Sequence, residues 1–390
     1  MEQIIDGGDS SRPPSCAEQK VVFSVFRYFP YGGLQLDLMR MAQEFVSRGI
    51  RVVIYCMSCD IAEVPEGMEF RVLRASGWSN HGRARSFEKL LKAELEKEKF
   101  IAHVAFNRLT PADWYFAADV PFVESAKRSF LQKLMPRYRT FAAMERELFQ
   151  PENDTKIFCI TKGQQKDFQR IYGTPDERIY QLPPGINERF ATALKLRENR
   201  GELRHELGVA EDEILLIQVS SAFRTKGVDR SIAALAVLPE SIRSKTKLLI
   251  VGRGKADAYK KFAARCGLGK QVIFAGGRND VPELIAAADL MIHPARNEAT
   301  GTVLVESLAC GTPVLCSANC GFAPLVKEAG SLVLPRLFRQ KILNRMLMVT
   351  LSTPDKLADL QQSAEIYGKN GDFYRRAKCA VDLITGKEVK

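Results

Sequence analysis

Asp289-Leu290-Met291-Ile292-His293-Pro294-Ala295-Arg296-Asn297-Glu298-Ala299-Thr300-Gly301-Thr302-Val303-Leu304-Val305-Glu306 reads as a strand, a polar loop and the opening of a helix. The apolar run 289–293 predicts a buried strand, and 302–310 predicts a helix stopped by Gly311 with Pro313 beyond it. Glu298 in the loop and Glu306 one turn into the helix bracket the helix N-terminus. There the unpaired N–H groups and the positive dipole end favour an anion. One carboxylate is placed to grip a sugar hydroxyl and the other a ribose diol, with a diphosphate on the amides between them. Taken alone, the pair reads more readily as a loop glutamate beside a surface-helix glutamate.

The same strand–loop–helix scheme recurs along the chain. In the first half, strands are expected at 21–26, 51–56, 70–74 and 101–106. A helix at 34–48 places Leu34, Leu38, Met41, Ala42, Phe45 and Val46 on one face, and Gly49 stops it. In the second half, strands are expected at 214–220, 248–251, 272–275, 289–293 and 313–316, with a helix at 229–238. The fold class is therefore α/β, with two doubly wound parallel sheets whose strand ends share a crevice. A chain of 390 residues also exceeds a single ordinary core. The turn 179–185, with Pro183-Pro184-Gly185, is the expected hinge. Boundaries follow at 1–20 for a flexible extension, 21–185 for the first domain and 186–371 for the second.

Composition narrows the function. No run of 18 apolar residues is present, so no membrane span is expected. Nine scattered cysteines fit a reduced, cytoplasmic compartment, and Cys56-x2-Cys59 has no second pair at zinc spacing, so no metal site is expected. The net charge of +11 calls for an acidic partner. Aromatic and basic residues do not interleave as in nucleic-acid modules, which leaves a phosphorylated substrate or an anionic membrane surface. In 125–149, Lys127, Arg128, Lys133, Arg137, Arg139 and Arg146 accompany an apolar stripe of Phe130, Leu134, Tyr138 and Phe141. Such a helix can lie in a headgroup layer, or the stripe can pack on the core with Pro136 as a kink.

Other candidates sit after strands. Gly32-Gly33 precedes a helix and permits close backbone approach to an anion or sugar. Asp37 is expected in that helix's first turn, as an acceptor ligand or a dipole complement. Lys226, in Ser220-Ser221-Ala222-Phe223-Arg224-Thr225-Lys226-Gly227, is placed to neutralise a leaving diphosphate. Asp119 closes a short apolar run. Asn80-His81-Gly82-Arg83-Ala84-Arg85 reads as a basic loop, in which a lone histidine is more often solvated than catalytic.

The chain resembles the retaining GT-B glycosyltransferases, and within them the lipopolysaccharide core glucosyltransferases of Gram-negative bacteria. The likeness runs through Tyr28 to Gln35, Asn80 to Arg83, Phe106-Asn107, Tyr115 to Val120, Arg137-Tyr138-Arg139, Leu182 to Ile186, Lys226 to Ile232, Gly277 to Asp280 and the Glu298–Glu306 block. It implies two Rossmann-like domains facing an interdomain cleft, with a helix in 372–390 returning to the first. It also implies UDP-glucose as donor, a phosphorylated heptose of the lipopolysaccharide core as acceptor, no other cofactor, and a place on the cytoplasmic face of the inner membrane. By the same resemblance Glu306 holds the UDP ribose and Glu298 the glucose hydroxyls. Ala299, Thr300, Gly301 and Thr302 donate to sugar and phosphate, and Gly32 and Gly33 lie beneath the phosphates. Lys226 sits on the diphosphate, and Asp119, a catalytic candidate, lies near the acceptor. Asp37, Asn80, His81, Arg83 and Arg108 face the acceptor. One departure stands out. The family commonly has arginine directly before this lysine, whereas here Thr225 intervenes and Arg224 lies one residue earlier.

No nucleophilic carboxylate is evident, which favours front-side transfer, with Lys226 and the helix N-terminus holding the charge on the leaving diphosphate. The alternatives are a related transferase with another nucleotide-sugar or glycolipid, a sugar phosphorylase of the same fold, and a non-enzymatic membrane scaffold.

Overall fold

The structure, a computed structural model, describes residues 3–6, 19–30, 32–124, 130–198 and 200–387. The chain divides into two compact units, one made of 1–183 with 375–390 and the other of 184–374. In the first unit the strands are β1 (Gln3–Asp6), β2 (Lys20–Tyr28), β3 (Arg51–Cys59), β4 (Met68–Val72), β5 (His103–Ala105), β6 (Trp114–Ala117), β7 (Lys156–Cys159) and β8 (Ile179–Gln181). They form one sheet in the order β1-β4-β3-β2-β5-β6-β7-β8. All neighbours are parallel except β1, which lies antiparallel on β4 with Gln3 opposite Val72. Within the expected extension over 1–20, Gln3–Asp6 is an edge strand, and 7–18 lie outside the described residues.

The second unit holds β9 (Ile214–Val219), β10 (Thr246–Val251), β11 (Val272–Gly276), β12 (Leu290–His293), β13 (Val314–Ser317) and β14 (Leu332–Leu334). Their order is β11-β10-β9-β12-β13-β14, parallel throughout. In each sheet the strand order reverses beside its first parallel strand, between β2 and β5 and between β9 and β12. Ligands of open α/β sheets bind at such reversals, beyond the strand C-termini.

Burial explains the long apolar runs. Val21, Val22, Phe23 and Val25 of β2 and Leu215, Leu216 and Ile217 of β9 are all buried, because helices cover both faces of a parallel sheet. The helix Gly33–Ser47 buries Leu38, Met41, Ala42 and Phe45 as its periodicity predicts. Two local expectations fail. Residues 80–85 are not a loop but the start of the helix Asn80–Leu95, because the Ser79 hydroxyl accepts the Gly82 N–H at 3.1 Å and caps it. Pro136 does not kink a helix. It opens the helix Pro136–Phe149 at a position that needs no N–H, after a separate turn Phe130–Leu134. Lys127 and Arg128 lie outside the described residues.

The helix Arg376–Ile384 completes the first unit by packing on Gly33–Ser47. Buried Arg376 donates to Asp37 at 3.0 Å and to the Pro183 carbonyl at 3.0 Å, and Arg48 donates to Asp382 at 2.7 Å. Asp37→Ala should therefore destabilise the first unit by about 3 kcal/mol, since removing one partner strands the other's buried charge. Both tryptophans, Trp78 and Trp114, lie in this unit, so their fluorescence in a urea titration reads it selectively. An unshifted midpoint would exclude this role.

Candidate active site

At the C-terminal end of β12 the chain turns through Pro294 and Ala295 into the loop that carries Glu298. The Glu298 carboxylate ion-pairs with Lys226, and the His293 Nε2 lies 3.3 Å from the same carboxylate oxygen. Lys226 does not stand on a loop as expected but ends a one-turn helix, Phe223–Lys226. Its backbone is fixed from below by Gln218 of β9, whose side-chain amide donates to the Lys226 carbonyl at 2.7 Å. The following Gly227 adopts φ 76°. A Cβ there would come within 2.3 Å of the Pro294 carbonyl, so only glycine lets the lysine turn lie against the β12 loop. Arg230 donates to that carbonyl at 3.0 Å, and Arg296 holds Asp229 through two bonds of 2.7 and 2.8 Å.

Gly301, at φ 83°, begins the helix Thr302–Ala309. Backbone bonds from Gly321 to the Glu298 carbonyl (3.2 Å) and from Phe322 to the Thr300 carbonyl (2.8 Å) fix the loop ahead of it. The helix N-terminus, with its amides unused by the helix itself, thus follows directly on Glu298, Ala299 and Thr300. Glu306 is half-buried one turn later. Within this unit the structure brings together Lys226, Glu298 and the 299–302 turn. Arg224 lies exposed on the lysine's own turn, where its carbonyl accepts from Arg296 at 2.7 Å.

His293 and Gln218 were not singled out from sequence. Both are fully buried. The available signal was a polar residue inside an otherwise apolar strand run. Burial, aided by the Lys226 charge, pushes the His293 imidazole down to about 3, so it is neutral beside Glu298.

The first unit distributes its candidates differently. Asp37 is not in the first turn of its helix and is not presented to a ligand, because Arg376 and Arg40 hold it at 3.0 and 3.5 Å. Arg108 is likewise held by the protein. It pairs at 2.5 Å with the fully buried Glu145, which also receives the Phe122 N–H at 2.6 Å. Arg85 is held by Glu88 at 2.6 Å. Asp119 is exposed in the bend after β6 and its carbonyl accepts from Gln164 at 3.3 Å. His81 contacts the capping Ser79 hydroxyl at 3.2 Å. Gly32 and Gly33 begin the helix Gly33–Ser47, and a Cβ on Gly33 would meet open space. Asn80 and Arg83 line a cavity at the β2/β5 reversal.

Two buried imidazoles impose a pH dependence. His103, between the Ser24 hydroxyl and the Pro111 carbonyl, is pushed down to about 4, chiefly by burial. Both rings are neutral when folded yet take up protons near pH 6.5 when unfolded. Stability is therefore complete above about pH 6.5 and falls as pH drops toward 4 and 3, by up to about 1.4 kcal/mol per pH unit for each group. Urea midpoints between about pH 7 and 5 should decline accordingly, less steeply in His293→Asn. Equal slopes would mean that His293 is charged in the fold.

Residues 199–366 match the model for glycosyl transferases group 1, and residues 31–190 match that for glycosyltransferase family 4. Lipopolysaccharide glucosyltransferase WaaG of Escherichia coli (strain K12) is 39% identical over 94% of this chain and 98% of its own length. A D-inositol 3-phosphate glycosyltransferase of Xylanimonas cellulosilytica is 24% identical over 76% of this chain and 78% of its own. The crystal structure of WaaG, a glycosyltransferase involved in lipopolysaccharide biosynthesis, superposes with a TM-score of 0.83 at 39% identity, covering 94% of this chain and all of that one. Anabaena HepE in complex with UDP-glucose superposes at 0.71 with 19% identity, covering 95% and 100%, a likeness of fold.

Proposed function

The chain belongs to the group 1, family 4 glycosyltransferases and has their GT-B fold, and on that premise we propose that it transfers glucose from UDP-glucose to a heptose of a lipopolysaccharide core. The observation that carries the donor half is the Lys226–Glu298 pair set at the N-terminus of the Thr302–Ala309 helix. Glu306 accepts from both ribose hydroxyls, and the 299–302 amides take the diphosphate and a sugar hydroxyl. On donor binding Lys226 exchanges Glu298 for the diphosphate, which frees Glu298 to accept from the glucose hydroxyls. Breaking the glycosidic bond moves charge onto the diphosphate, where the ammonium and the helix N-terminus stabilise it more than in the ground state. The acceptor oxygen attacks from the face that the leaving group vacates, its proton passes to the diphosphate, and configuration is retained. Arg224 serves as the second cation in place of the arginine that Thr225 displaces.

Among the described residues no helix is long and apolar enough to cross a membrane. The turn before Pro136 nonetheless exposes Leu131 (75%), Leu134 (54%) and Met135 (55%) beside exposed Lys133 and Arg139. Tyr138 and Phe141 turn inward against Phe122, at 5.6 Å each. The face that remains is a short apolar patch in a basic surround, suited to the anionic headgroups in which a lipid-linked acceptor sits.

Glu306→Ala should weaken UDP binding roughly 10- to 100-fold by calorimetry, the scale of hydrogen bonds to a charged group. Lys226→Ala should lower turnover about 10²- to 10³-fold. Unchanged UDP affinity removes Glu306 from the donor site, and unchanged UDP release with core lipid and UDP-glucose removes Lys226 from the chemistry. Sedimentation with phosphatidylglycerol vesicles should weaken with salt and in Lys133→Gln/Arg139→Gln. Equal binding to neutral vesicles would refute the membrane surface.

A further inference from the structure

The transfer chemistry set out for Lys226, Glu298 and Glu306 leaves His293 without a part. Its ring closes β12, is fully buried, and pairs in register with Cys316 of β13. The chain turns straight back on it, the Ala295 N–H donating to the His293 carbonyl at 2.9 Å. The ring is therefore placed by the sheet, not by the loop that follows. Burying an imidazole at the end of an apolar strand costs free energy unless it finds a hydrogen-bond partner. Glu298 is that partner.

Among the described residues one ring nitrogen is engaged and the other is not. Nε2 lies 3.3 Å from Glu298 Oε2, and Nδ1 is buried with no partner. A neutral imidazole carries a single N–H, and a carboxylate only accepts. With the proton on Nδ1, an N–H would be buried unpaired and a lone pair would face the carboxylate. With the proton on Nε2, a hydrogen bond forms and a lone pair alone is orphaned, the less costly arrangement. His293 is thus a donor to Glu298, and the burial that keeps the ring neutral prevents it from rivalling Lys226 as a cation.

The carboxylate is held unevenly. Lys226 and His293 both take Oε2, and Oε1 accepts from no described residue. The Glu298 backbone is fixed independently, by a parallel bridge to Cys320 and by the Gly321 N–H at 3.2 Å. Once the ammonium leaves for a diphosphate, a glutamate held by lysine alone would be free to rotate. The His293 N–H stays, and its long bond can shorten when it no longer shares the oxygen.

We propose that His293 is a positioning residue for the donor sugar: its Nε2–H fixes Oε2 of Glu298 after Lys226 has moved, so that Oε1 meets one chosen hydroxyl of the hexose. The inference rests on the reading that Glu298 accepts from that hexose. An acceptor held in one place distinguishes epimers, whereas one free to rotate follows either hydroxyl. His293 accordingly governs discrimination between sugars and leaves the nucleotide to Glu306 and the helix N-terminus.

The ratio of kcat/KM for UDP-glucose over UDP-galactose, read as UDP release with core lipid, tests it. His293→Phe keeps a buried ring without the N–H, and His293→Asn carries an amide that reaches only the Nδ1 position. Each should lower the ratio about tenfold or more, the low end for a hydrogen bond to a charged group. His293→Gln, whose amide N–H reaches the Nε2 position, should restore most of it. UDP affinity by calorimetry should equal that of wild type in all three, which also verifies their folding. Of the four histidines in 15N spectra, the one lost in His293→Gln should show a protonated Nε2 and a bare Nδ1 at neutral pH. An unchanged ratio in His293→Phe and His293→Asn overturns the proposal. So does a loss of UDP affinity as large as the loss with UDP-glucose, which is what a purely structural ring would give. A proton on Nδ1 overturns the bond itself. The donor reading fails separately, in a wild-type chain that prefers neither sugar nucleotide, which removes Glu298 from the hexose and this role of His293 with it.

Discussion

A parallel sheet must be entered from the same end at every strand, and right-handed crossovers change face only where the strand order reverses. Each unit has one such reversal, β2 against β5 and β9 against β12. The loops leaving those two strands part to opposite sides, and the polar side chains that follow the strands are left facing a gap that no backbone fills. Arg27 and Asn107 line a cavity there in the first unit, and in the second Gln218 and His293 hold Lys226 and Glu298 beside the reversal. Everything functional described here hangs on that one topological constraint.

The two units hold their cations in opposite electrostatic settings. In the second, Lys226 is mostly shielded and neutralised by Glu298, with a neutral imidazole against the pair. A shielded pair of this kind is weakly screened by salt. In the first, the guanidiniums at the cavity stand unpaired and largely exposed, a field that reaches into solvent and that ionic strength weakens. The first device suits charge that develops during a reaction. The second suits capture of charge that is already present.

How much of this was legible depended on how local each cause is. The strand–loop–helix at 289–306, the helix face of Leu38, Met41 and Phe45, and the family signature were readable because their signals lie within a few turns. Three-residue strands such as β8 and β14 carry too little pattern to be seen. The cap at Ser79 is local, but its polar neighbours mask it, because Asn80 to Arg85 has the composition of a loop. Fates of single side chains were the least legible. Asp37 and Arg108 looked available in sequence, and each is claimed by a partner brought by the fold, Arg376 for one and buried Glu145 for the other.

The return of the Arg376–Ile384 helix has a consequence for synthesis. The ion pairs it makes with Asp37 and Arg48 join residues separated by 339 and 334 positions. A ribosome therefore releases every residue of the second unit before the first unit can acquire its last helix. The later-coded unit can finish first, while the earlier one waits with Asp37 and Arg48 lacking their C-terminal partners. Chains interrupted anywhere between the two units carry an unfinished first unit, exposed to chaperones and proteases in proportion to that delay.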